Sequence, residues 1–159
     1  MNRQVRSTWS SVPAKVVLAA LLVVLPVARG SAGSLYVDQN ATGANNGSSW
    51  SNAYTSLLTA LTAAVSGDTL NVARGTYKPT TGTDRNATFQ LKKSVALLGG
   101  YPTGGGTRDP AANATTLSGD IGTPGDSSDN SSHVVTGSGT NVFTVLDGFT
   151  ITGGNASGD

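Results

Sequence analysis

The densest polar stretch is Leu117 to His133 (LSGDIGTPGDSSDNSSH), where Asp120, Asp126 and Asp129 could offer oxygens to a hard cation such as Ca²⁺. That ion takes about six to eight oxygen ligands. The spacing matches neither an EF-hand loop nor the Gly-Gly-x-Gly-x-Asp nonapeptide repeat. Asp beside Gly, Pro and Ser in a long loop closes turns through its own side chain, and turn formation is the stronger reading. His133 is the sole histidine and directly precedes Val134-Val135. A lone imidazole can move a proton at neutral pH, but no neighbouring motif pairs it with a nucleophile, so its expected role is structural or incidental.

Two reactions on polysaccharides set further requirements. Elimination next to a uronate carboxylate needs a base and cations to hold the developing carbanion. Arg74, Arg85 and Arg108 are available, and Asp84-Arg85 and Arg108-Asp109 are adjacent pairs, yet neither pair sits in a lyase signature. Glycoside hydrolysis needs two carboxylates flanking one bond, and too many Asp residues qualify for any pair to stand out. No catalytic residue is assigned, and no cofactor is expected beyond the weak calcium set.

The elements that must position these groups follow from patterning. Arg3, Arg6 and Lys15 precede the short apolar run Val16 to Val27, and Gly30-Ser31-Ala32 offers a cleavage site. This reads as a secretory leader over residues 1–32, too short for the roughly 20 residues a membrane span needs. No second apolar run follows. Ten Lys and Arg face nine acids, all Asp. Removing Arg3, Arg6, Lys15 and Arg29 with the leader leaves six cations against nine Asp, which argues against a nucleic-acid partner. Cysteine is absent, so neither disulfides nor thiolate metal sites are available. Six Asn-x-Ser/Thr sequons, at Asn40, Asn46, Asn86, Asn113, Asn130 and Asn155, fit an Asn/Ser/Thr-rich composition as well as they fit glycan acceptors.

Past the leader the chain reads as one domain. Leu35 to Asp38 predicts a strand, and Gln39 to Ser49 a loop. Tyr54, Leu57, Leu58, Leu61, Ala64 and Val65 share a helix face, with Ser51 or Asn52 as N-cap and Gly67 as the stop. From Thr69 the period becomes two. Strands are expected at Leu70 to Val72, Tyr77, Phe89 to Leu91, Val95 to Leu98, Thr116-Leu117, Val134-Val135, Val142 to Leu146 and Phe149 to Ile151. An aliphatic residue, any residue, then glycine recurs at Leu97, Leu117, Val135, Leu146 and Ile151. The first three stand 20 and 18 residues apart, which suggests stacked coils of about 20 residues. The glycines are expected at corners that need positive φ. A β-sandwich accounts for the same spacing.

The residues themselves favour the coils. Leu35 to Asp38, Gly47 to Tyr54 (GSSWSNAY), the helix, and Ser66 to Tyr77 (SGDTLNVARGTY) resemble the start of bacterial surface proteins of the pectin-lyase-like superfamily. Later runs such as Leu97 to Tyr101 and Leu146 to Gly154 resemble its coils. The resemblance implies an all-β, right-handed parallel β-helix. Residues 33–68 would form the first strand, loop and capping helix, and residues 69–159 the first coils. The run ends at Asp159 with no covering element, so an N-terminal portion of a longer chain is expected. The implied role is an exported structural or adhesive domain contacting carbohydrate or cell-surface components. The alternative is the N-terminal part of a polysaccharide lyase or glycosidase whose active site lies in downstream coils.

Overall fold

The computed structural model describes residues 31–156. The leader therefore lies outside the described residues except for its last two. The elements in order are β1 (Ser34–Val37), α1 (Leu57–Ala63), β2 (Thr69–Ala73), β3 (Gly75–Tyr77), β4 (Phe89–Gln90), β5 (Ala96–Tyr101), β6 (Thr115–Ser118), a 3₁₀ turn (Ser127–Asp129), β7 (Val135–Thr136), β8 (Val145–Asp147) and β9 (Thr150–Thr152). The fold is mostly strand, and every named pairing is parallel. The first sheet has the order β1-β2-β5-β8, the second β3-β6-β9 and the third β4-β7. From β2 onward the chain enters the first, second and third sheets in unbroken rotation. Parallel neighbours need a long crossover, and here the crossover is made of strands belonging to the other two sheets.

Side-chain alternation decides what each sheet buries. Leu35, Leu70, Leu97 and Leu146 occupy successive register positions of the first sheet. Tyr77, Leu117 and Ile151 do so in the second, and Phe89 and Val135 in the third. Leu35, Leu70, Leu97, Tyr77, Leu117 and Phe89 are buried in one cluster. Each such aliphatic or aromatic side chain contributes roughly 1.5–3 kcal/mol. The intervening residues face outward, and in the second sheet they align Thr76, Thr116 and Thr150.

From β5 onward the glycine motif recurs each time the chain passes from one sheet to the next. Leu97, Leu117 and Val135 belong to the first, second and third sheets in turn. The residue stacked on Leu97 is Leu146, 49 positions on, and that on Leu117 is Ile151, 34 positions on. The reason for glycine also differs from expectation. Gly99 and Gly119 do not have positive φ. They are small because the next strand's backbone lies against them: a Cβ on Gly99 would stand 2.5 Å from the Gly148 carbonyl oxygen. Gly148 and Gly153 do lie at positive φ, +76° and +70°.

The helix is shorter than predicted. Tyr54 is drawn into extended pairing with β1, bridging Val37, so the helix starts later and Ser56 is its N-cap, accepting from the Thr59 amide at 3.3 Å. Ser51 and Asn52 cap nothing; the Asn52 side chain instead accepts from the Ala44 amide at 2.9 Å. At the other end Ala64 is already extended. Gly67, at φ +96°, belongs to the following turn, closed by Asp68 N–H to Val65 O at 3.0 Å. Lys92 serves the helix's terminal carbonyls, donating to Thr62 O at 2.8 Å and Ala64 O at 3.0 Å. Leu57, Ala60 and Leu61 are buried, Leu58 is half-buried, and α1 packs on β1 and β2.

β8 begins only at Val145, three residues later than expected. Asn141 holds the preceding turn through its own side chain, accepting from the Phe143 amide at 3.1 Å and from the Ser94 amide at 3.2 Å. Val142 and Phe143 are left exposed, at 90% and 71%.

Candidate functional site

The acidic loop is built as a closed turn system. Its neck is the Ser131 amide donating to Gly119 O at 2.8 Å. Inside it, Asp120 Oδ1 accepts from the Gly125 amide at 3.0 Å and Asp129 Oδ2 from the Thr123 amide at 2.7 Å. Asp126 Oδ1 accepts from both the amide and the hydroxyl of Ser128, at 2.9 and 2.7 Å, and so caps the 3₁₀ turn. These two bonds hold the Asp126 carboxyl below the usual carboxylate range, the hydroxyl contributing most. Each of the three candidate acids thus closes a stretch of loop. Among the described residues no three His or Asp side chains group so as to hold a metal. Three successive residues nevertheless carry buried oxygens without a hydrogen-bond partner: Asp129 Oδ1, Asn130 Oδ1 and Ser131 Oγ. Asp129 is therefore the one candidate of the three whose unpartnered oxygen is buried.

The other sequence candidates separate. His133 is exposed, one residue before buried Val134. Arg85 is a clamp between chain segments, donating to the carbonyls of Asn130 and Asn155 at 2.9 Å each. Arg108 donates to Gly99 O at 2.7 Å and forms an ion pair with Asp147 rather than with its neighbour Asp109. Asp84 and Asp109 accept from amides two residues ahead, those of Asn86 and Ala111, each at 3.0 Å. Arg74 is exposed at the corner between β2 and β3.

Two features were not predicted. One is a groove of about 320 Å³ between β3 and the start of α1, lined by Gln39, Ser56, Leu57, Thr76, Tyr77 and Lys78 among others. It is rich in hydroxyl groups, and Lys78 is its single charged lining residue among the described residues. Tyr77 itself is buried and donates to Ala73 O at 3.0 Å. Burial, reinforced by the charge of nearby Asp38, pushes its phenol well above the ordinary tyrosine range. The other feature is an aromatic trio on the outer side of the first sheet. Trp50 lies between Tyr36 and Tyr101, with ring centroids at 4.9 and 5.2 Å. In the sequence, the period-two run Thr76-Tyr77-Lys78 gave the only signal for the groove, because it places Thr76 and Lys78 on one face. Nothing in the sequence joins them to Gln39 or Ser56.

Comparison with family models, with curated proteins and with solved structures gives no match for this chain.

Proposed function

We propose that this chain is an exported, right-handed parallel β-helix domain of the pectin-lyase-like kind. Its role is structural and adhesive, presenting polar outer faces to carbohydrate or to another component of a cell surface. The observation that carries this reading is the stacked row Leu35, Leu70, Leu97 and Leu146 beneath outward rows of hydroxylated residues such as Thr76, Thr116 and Thr150. Such a stack commits its interior to stability and leaves only its outer faces for recognition. The rotation of the chain through three parallel sheets supports the coiled architecture. The position of α1 against β1 and β2 supports its role as the cover of the first coil. The short apolar leader in the sequence supports export.

The test uses the exported chain on a panel of immobilised polysaccharides, with pectate and other acidic polysaccharides also assayed for unsaturated products. Retention on glycan or on cells without turnover supports the reading. Turnover, or no binding to any glycan or cell surface, overturns it.

A further inference from the structure

Where α1 lies, the edge strands of the first and second sheets are treated differently. The free edge of β1 is closed by the chain itself: the Asp38 amide donates to Tyr54 O and the Tyr54 amide to Tyr36 O, each at 2.9 Å. β3 has a strand on one side only, β6, and its other edge opens into the 320 Å³ groove. Alternate residues of a parallel strand turn their amide and carbonyl to opposite edges. The Gly75 amide donates to Ala114 O at 3.2 Å, towards β6, so Thr76 presents its main chain to the groove. Its carbonyl is held there by Gln39 Nε2 at 2.9 Å. Its amide, by the same alternation, points away from β6.

We propose that this groove takes an extended acidic peptide segment of another protein, which adds to the free edge of β3 as one further strand. The main chain of Thr76 provides the amide and carbonyl that a strand's own backbone reads. Leu57 and Tyr77 lie beneath the groove, and among the described residues Lys78 is the sole charge lining it, which selects an acidic segment. Gln39 holds the Thr76 carbonyl in the free protein and must yield it on binding. A saccharide would satisfy the hydroxyls but has no amide and carbonyl at strand spacing to match Thr76.

The experiment measures fluorescence polarisation of a labelled heptapeptide alternating valine and aspartate against the full chain. The same peptide N-methylated at alternate amides, its lysine counterpart, and chitohexaose as competitor are the controls. The acidic peptide binds, and N-methylation weakens it by about tenfold, the loss of one or two backbone hydrogen bonds. Lys78→Ala weakens binding several-fold in low salt, while Gln39→Ala, by freeing the Thr76 carbonyl, tightens it. Equal binding of the N-methylated peptide, preference for the lysine peptide, displacement by chitohexaose, or absence of peptide binding each overturns the proposal. Glycan retention on another face would leave the adhesive reading standing in any of these cases.

Discussion

Gly119 and Gly153 lie so close that a methyl group on Gly119 would stand 2.6 Å from the Gly153 carbonyl oxygen and 2.8 Å from Val134 Cγ2. Two stacked backbones and a core side chain share the space of one missing Cβ.

Gly119→Ala therefore forces the two backbones apart and should cost about 1–3 kcal/mol, the usual cost of overpacking. Gly137 ends the same three-residue motif in the third sheet, but a Cβ there meets only Thr140, at 3.6 Å. Gly137→Ala should change stability little. Urea midpoints of the two variants check this, and equal losses would contradict the close-approach account.

Leu61 is buried in the face of α1 that meets the first sheet. Leu61→Ala should cost about 2–5 kcal/mol, and Leu61→Asp should give insoluble or protease-sensitive protein, since it puts a carboxylate into the buried face of α1. A soluble Leu61→Asp variant with a cooperative unfolding transition would deny α1 its covering role.

Tyr77 sets an alkaline limit. Its phenol is raised in the folded state above the value near 10 of the unfolded chain. The unfolded form therefore ionises first, and the contribution is complete below about pH 10 and lost progressively above it. Tyr77→Phe should flatten the fall of stability at high pH. At neutral pH it loses the bond to Ala73 O, worth about 1 kcal/mol. Denaturation followed against pH, with tyrosinate absorbance, separates the two effects.

Millimolar calcium should leave the thermal midpoint unchanged, because Asp120, Asp126 and Asp129 each already accept a loop amide. Calorimetric titration checks this. A saturable heat abolished by Asp129→Asn would instead mean that the buried, unpartnered Asp129 oxygen has found a cation.

Much of the fold was legible because alternation is local. Leu70 and Val72, Phe89, Leu97 and Leu117 declared their strands through neighbours one and two positions away. Register was not legible: that Leu97 meets Leu146 depends on loop lengths that vary from turn to turn. For the same reason the recurring glycine suggested coils of 20 residues, when it marks passages between sheets. Tyr54 fitted the helix by spacing, but two hydrogen bonds to β1 outweigh one more helical turn. The loop acids each accept a loop amide, as their Gly, Pro and Ser neighbours suggested, while the groove needed long-range folding to bring Gln39 to Thr76.

The row of inward leucines has a further consequence. Each member rests on its predecessor in register, so the buried row is built one strand at a time, each leucine covering the one before it. Ile151 occupies an inward position of the second sheet yet is 51% exposed, whereas Leu117 beneath it is fully covered. Burial in such a row comes from the neighbouring strand, and among the described residues Ile151 has such a neighbour on one side alone.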